Sequence, residues 1–240
     1  MEYNYYLGRK KSPFDERDYN LRDYIEKGGL LREVIKEKVW EFPSSPLNQE
    51  KTNHCVGFSM ANFGINYPVF TPYKNSDGHD FYYKCKVIDG EPKSEDGSYI
   101  RSAAKVLREM KKIDSYAFAP DMSIIKYWIL NRSPMIVGTV WTEEMFAPNQ
   151  DNVIGIGGAI AGGHAYLLNE WRSDNYIGIQ NSWGEYWGKN GKAYISAENF
   201  EKLFKYDGEA MAAVEIETSG TSPQKECFLI KVIKDLLKTG

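Results

Sequence analysis

Cys55, His164 and Asn181 are the residues of this chain that could combine into a nucleophilic centre. A cysteine attacks a carbonyl carbon only as its thiolate, so it needs a base or an electropositive site. Histidines stand at positions 54, 79 and 164. His54 is the immediate neighbour of Cys55, and adjacent side chains at a helix start point apart, which makes it a poor base for that thiol. His79 sits in the polar run Asn75-Ser76-Asp77-Gly78-His79-Asp80 and reads as a surface residue. His164 follows Gly162-Gly163 and opens an apolar strand. On pattern alone it reads equally as a base and as a strand-end histidine with its hydrogen bonds satisfied. Asn181 tips the balance. Its side-chain carbonyl can accept a ring N–H and fix the tautomer, leaving the other ring nitrogen for the thiol. Trp183 is placed to cover that bond and keep water from it.

The elements that must position these groups follow from the periodicity. The run 55–66 reads as a buried helix starting at or just before Cys55, whose unpaired N–H groups would favour an anion. Residues 98–112 form the clearest helix, with Ile100, Ala103, Ala104, Leu107 and Met110 on one face. A second spans 121–131, with Asp121 as cap, and stops before Pro134. Short strands follow at 135–140, 164–169, 175–180, 192–196 and 211–217. Residues 67–97, with Pro68, Pro72, Gly78, Gly90, Pro92 and Gly97, read as loop. Helices first and strands later argue an α+β fold with a helical lobe, a β lobe and a cleft between them. Helical spacing at 21–39 is broken by Gly28-Gly29. Residues 218–223 read as a linker, and 224–238 as a basic amphipathic helix that docks on the domain or on a partner.

Composition excludes several classes. A net charge of -3 and a pI near 5.8 argue against nucleic-acid binding. No apolar run approaches the roughly 20 residues of a membrane span, and the N-terminus has no apolar signal core. The expected location is therefore cytoplasmic, or phage- or virion-associated. Three widely spaced cysteines, at 55, 85 and 227, make no disulfide framework, and no metal-ligand spacing appears, so no cofactor or metal is expected. The glycines of 155–163 lack the Lys-Ser/Thr ending of a phosphate loop.

The motifs resemble those of papain-like cysteine peptidases. Gly163-His164-Ala165 is followed by Gln180-Asn181-Ser182-Trp183-Gly184, Trp187-Gly188 and Asn190-Gly191. Gln49 stands six residues before Cys55, and Phe58-Ser59 follows it. The resemblance covers about residues 43–217. It implies a two-lobe papain-like fold, with a helical lobe over about 48–118 and a barrel-like antiparallel β lobe over about 119–217. It implies Cys55 as nucleophile, His164 as base, Asn181 as its orienter, and Gln49 as an oxyanion donor worth roughly 3–4 kcal/mol. It further implies that Gly97 and Ser98 pair with an extended substrate backbone, and that Gly138 walls the main specificity pocket, with Gly163 and Trp183 lining the site. A peptide or protein is then the substrate, cleaved through a thioester, with a thiolate–imidazolium pair in the resting protein.

The departures are local. Only Cys55 matches the family's Cys-Gly-Ser/Ala-Cys-Trp/Tyr signature, and His164 and Asn181 follow it sooner than the usual spacing of roughly 130–150 residues. Asn53 and His54 place larger side chains beside the nucleophile, where they restrict the pocket or tune the thiol. Residues 1–42 are a charged lead-in, too short for the long helical propeptide of secreted members. Wrapping around the domain is the preferred reading over blocking the cleft. The rivals to hydrolysis are a transpeptidase or amidase acting on cell-wall peptides, and a non-catalytic binding module.

Overall fold

The computed structural model describes residues 5–27 and 35–216. The expected linker at 218–223, the amphipathic helix at 224–238, Cys227 and the Gly28-Gly29 break lie outside them. The chain opens with strand β1 (Arg9–Lys10), helix α1 (Leu21–Lys27) and strand β2 (Lys38–Val39). Helices α2 (Cys55–Ile65) and α3 (Asn75–Asp89) follow, then β3 (Ser98–Tyr99) and α4 (Ile100–Glu109). The remainder is β4 (Ile113–Phe118), α5 (Met122–Asn131), β5 (Met135–Thr142), β6 (Ile160–Trp171), β7 (Tyr176–Gln180), β8 (Lys192–Ser196), α6 (Ala197–Asp207) and β9 (Glu209–Ile216).

Seven strands form one sheet in the order β4-β9-β5-β6-β7-β8, with β2 added against β6. Every pairing in it is antiparallel. The sheet is open where a barrel-like lobe was expected. Alternation along its central strands splits the core in two, because successive side chains leave a strand on opposite faces. Ile136, Ala165, Leu167, Met211 and Ala213 face α2, α3 and α4. Met135, Val137, Tyr166, Leu168, Ala210 and Ala212 face the other way, into a core shared with α1, α5 and α6.

The loop expected over 67–97 is corrected by α3. Its buried residues Gly78, Phe81, Tyr82 and Cys85 keep helical spacing. Gly78 is there for contact rather than for a turn, since a Cβ on it would lie 2.8 Å from the Phe58 ring. Gly57 has the same role on α2, where a Cβ would sit 2.2 Å from the Gly78 carbonyl oxygen. The two glycines let α2 and α3 pack backbone to backbone. All eleven residues of α2 are buried, so it reads as apolar all round and serves as the post that carries Cys55.

Candidate active site

Cys55 is the first residue of α2 and is fully buried. The first helical bond runs from Phe58 N–H to the His54 carbonyl, so the N–H groups before it have no helical acceptor, and that of Val56 reaches the thiol. The side-chain amide of Asn62, about two turns further along the same face of α2, donates to the Asn181 carbonyl at 3.3 Å and ties the helix to the segment after β7.

His164 lies in β6, fully buried, with Nε2 2.8 Å from Asn181 Oδ1. The same Oδ1 accepts the Ser182 N–H at 2.8 Å. That backbone donor fixes the amide orientation, so Nε2 carries the hydrogen and Nδ1 of the neutral ring holds a lone pair. Nδ1 has no hydrogen-bond partner among the described residues. Trp183 stacks on the imidazole with ring centroids 4.6 Å apart, and Trp141 meets it edge-on at 4.8 Å. These two indole rings enclose the imidazole.

Gln49 is fully buried. Its Oε1 accepts from Ser182 Oγ at 2.8 Å, which points Nε2 into the cleft. Nε2 donates to the Thr52 carbonyl at 2.7 Å and to the Tyr6 carbonyl at 3.0 Å. Tyr6 belongs to the lead-in, and this contact overturns the preferred reading that residues 1–42 merely wrap the domain. Residues 5–10 cross the site as an extended chain. Tyr5 stacks on Trp183 at 4.5 Å. Gly8 N–H donates to the Gly163 carbonyl at 3.1 Å, and the Gly8 carbonyl accepts from Ser98 N–H at 2.9 Å. β1 then pairs with β3 in parallel, Arg9 opposite Ser98. Close approach is what the glycines permit: a Cβ on Gly97 would stand 2.7 Å from the Gly8 oxygen, on Gly163 2.2 Å from the Arg9 oxygen, and on Gly8 2.0 Å from the Asn53 oxygen. Gly97 also has φ +86°, and its backbone is held by the Tyr82 hydroxyl and the Lys86 ammonium, each at 3.0 Å. Gly138, in β5, faces the Arg9 side chain, whose Nε would be 2.6 Å from a Cβ there. The site residues expected from sequence, Gln49, Cys55, Gly97, Ser98, Gly138, Gly163, His164, Asn181 and Trp183, thus gather around one stretch of the chain.

That cover sets the electrostatics. Burial pushes the Cys55 thiol from its ordinary 9.0 up to about 11, against the opposing pull of the Ala165, Gly8 and Val56 N–H groups and of Arg9. Burial pushes His164 down to about 4, against the opposing bond from Asn181. Both shifts run against the thiolate–imidazolium pair expected of the resting protein while the cover is in place. The physical reason is desolvation, which penalises whichever form carries charge. His54 does not act on the thiol. It is held by His79, Nδ1 to Nδ1 at 2.8 Å, and by a stacked Tyr82 ring at 3.8 Å. His79, read as a surface residue, is instead half-buried on α3 and meets Phe58 edge-on.

Sequence reasoning missed Arg9, Asp207 and Glu209. Arg9 Nη1 lies 2.7 Å from Asp207 Oδ2, and Nε donates to Glu209 Oε1 at 3.1 Å. The pairs span about 200 residues, so no local pattern announces them. Among the described residues, no three or more His, Cys, Asp or Glu side chains group as a metal site, and no helix is long and apolar enough to cross a membrane.

The family model described as papain family cysteine protease matches residues 50–214. Among solved structures, xylellain, a cysteine protease from Xylella fastidiosa, superposes with a TM-score of 0.70 at 17% identity, over 92% of this chain and 98% of that one. Procathepsin B S9 from Trypanosoma congolense gives 0.66 at 13% identity, over 89% and 87%. Bromelain from Ananas comosus, solved with the E64 inhibitor, gives 0.56 at 16% identity, over 77% and 100%. A search of curated proteins found no match.

Proposed function

Because the chain belongs to the papain family of cysteine proteases, we propose that it hydrolyses peptide bonds with Cys55 as nucleophile, and that residues 5–10 hold it latent until they leave the cleft. The observation that carries this reading is the extended peptide already lying across Cys55. One of its carbonyls is gripped by the Gln49 amide, and Gly8 is hydrogen-bonded to both walls. A cleft that binds its own backbone by main-chain bonds can bind another chain the same way, with little regard to side chains.

The chemistry follows from groups that meet once the cover leaves, since among the described residues His164 Nδ1 has no hydrogen-bond partner in the covered state, Cys55 included. With the cover gone, water re-enters and the penalty on charge falls, so a proton can pass from Cys55 to the lone pair on His164 Nδ1. Asn181 keeps the ring in the tautomer that accepts it, and the helix N-terminus favours the thiolate left behind. The thiolate adds to the substrate carbonyl. The oxygen that gains charge is met by Gln49 Nε2, a donor already aimed at a carbonyl in the covered state. His164 gives its proton to the leaving amine, and the acyl group stays on sulfur as a thioester. Water, deprotonated by His164, then releases the acid and restores the thiol.

Latency has a stereochemical basis. The lead-in meets β3 in parallel register, and a chain of opposite polarity would present its carbonyls differently to the same donors. The test uses the full chain with Gly8→Val, whose side chain cannot fit against Asn53. This variant should cleave a mixed peptide library at a rate well above the parent chain. Adding Cys55→Ala should abolish cleavage while the circular dichroism spectrum is kept. Undiminished cleavage in the double variant would remove Cys55 from the mechanism.

A further inference from the structure

The pocket beside Gly138 is acidic, and the present structure fills it with an arginine. Gly138 in β5 pairs with Ala165 on one side and Glu209 on the other. A glycine at the centre of three adjacent strands leaves a gap one side chain deep. The Glu209 carboxylate stands at its edge, and Asp207, two residues earlier at the end of α6, stands beside it. The Arg9 side chain is 1% exposed and Glu209 10%. A charge this deeply placed is held by partners or not held at all.

The partners of these two carboxylates come from one source. Glu209 is met by Arg9 and by the Ser12 N–H at 3.4 Å. Asp207 is met by Arg9 at 2.7 Å and Lys11 at 3.1 Å. Among the described residues, every hydrogen bond and ion pair they make is to residues 9–12 of the lead-in. When that segment leaves, two neighbouring carboxylates line a narrow pocket with no cation of the peptidase domain to balance them. A neutral side chain entering would leave the buried carboxylate unpaired, and an acidic one would add a third negative charge. A guanidinium or ammonium restores what Arg9 supplied.

We propose that Asp207 and Glu209 make this pocket a subsite for a basic side chain of the substrate, arginine before lysine, and that Arg9 occupies it as a stand-in. The planar guanidinium reaches both carboxylates at once, whereas an ammonium is a single point charge. This inference rests on the peptidase reading for its substrate, since it names the side chain which that site accepts. It also gives the lead-in's charge a purpose: the residue that locks the cleft has the chemistry of the residue the cleft selects.

The experiment separates the two readings by measuring binding and turnover apart. The full chain carrying Gly8→Val and Arg9→Ala opens the pocket without altering its walls. Fluorescein-labelled tetrapeptides that differ at one position, Arg, Lys, Leu or Glu, are titrated by fluorescence anisotropy, each peptide scanned with the variable residue at every position. The Arg peptide should bind roughly 100-fold or more tighter than its Leu and Glu counterparts at one position, because a pocket built for a polar partner rejects a ligand lacking it. Glu209→Gln with Asp207→Asn should erase that preference while circular dichroism is unchanged. Glu209→Lys should reverse it in favour of the Glu peptide. Equal binding of the four peptides, no binding of any, or a preference that survives Glu209→Gln with Asp207→Asn would overturn the proposal. Turnover of the same peptides is scored separately. Basic preference in binding without cleavage would leave the subsite standing and defeat the peptidase reading, and cleavage without basic preference would do the opposite.

Discussion

Arg9→Ala should expose Cys55 to alkylation by roughly two orders of magnitude, and the size of that effect follows from the contacts. Arg9 is the deepest anchor of the lead-in, with its side chain 1% exposed against Glu209 at 10% and Asp207 at 28%. Removing one partner of a buried ion pair costs about 3–5 kcal/mol, because the other charge is left uncompensated. Asp207 retains some access to water, which holds the estimate near the lower figure of about 3 kcal/mol. At about 1.4 kcal/mol per tenfold, that raises the population of the open cleft by roughly 100- to 200-fold. Under the cover, a thiol pushed up to about 11 is ionised in only about one molecule in 10⁴ at pH 7, so iodoacetamide reaches Cys55 through the open state. The alkylation rate therefore tracks the open population. The assay is iodoacetamide labelling at pH 7, read residue by residue by peptide mass spectrometry. Cys85, buried between the helices with its thiol also pushed up by desolvation, serves as the internal control. A change of less than about threefold at Cys55 in a folded chain would mean that Arg9 does not hold the cleft shut. Equal acceleration at Cys85 would report global unfolding instead.

Three further outcomes follow. The covered state should be most stable between about pH 6.5 and 9. Below that window His164 and His54, both held near 4, take up protons only by leaving their buried sites, so stability falls as pH drops from 6.5 toward 4. Above it the raised Cys55 thiol loses its proton only in the open state, so stability falls as pH rises from 9 toward 11. Thermal melts across pH 4–11 check both limbs, and a flat acid limb would count against burial of the imidazole. Gln49→Ala in the Gly8→Val background should lower kcat by roughly 10²–10³ with a smaller change in KM, the cost of one oxyanion donor, measured by steady-state peptide hydrolysis. Gly57→Ala should destabilise the fold by about 1–3 kcal/mol in chemical denaturation, because its Cβ would sit 2.2 Å from the Gly78 oxygen, backbone that cannot step aside.

The sheet was legible in sequence because its strands are short apolar runs divided by Gly, Asn and Asp: His164–Asn169 and Asn175–Gln180, for example, fall within or against β6 and β7. The motif around Asn181 was legible because glycines and tryptophans recur there at fixed offsets. Helix α3 was hidden by its own start, where Asn75, Asp77 and Gly78 read as turn residues although Gly78 serves a helix–helix contact. Helix α6 and strand β4 were missed although Phe200 and Leu203 keep helical spacing and are buried. The cover over the cleft was illegible for a different reason. Its strand β1 has two residues and no periodicity, and its specificity lies in pairing Arg9 with Asp207 and Glu209 at the far end of the chain. Such a pairing becomes visible only once the sheet has brought β9 beside β5.

Acyl transfer through Cys55 leaves a covalent intermediate that can be trapped. The Gly8→Val chain is mixed with a peptide p-nitrophenyl ester, quenched in acid within the first turnover, digested with pepsin and mapped by mass spectrometry. One acyl adduct is expected, a thioester on Cys55, that is absent when Cys55→Ala is added. Hydrolysis that continues with no adduct on Cys55, or with the acyl group on another residue, would contradict acyl transfer through Cys55.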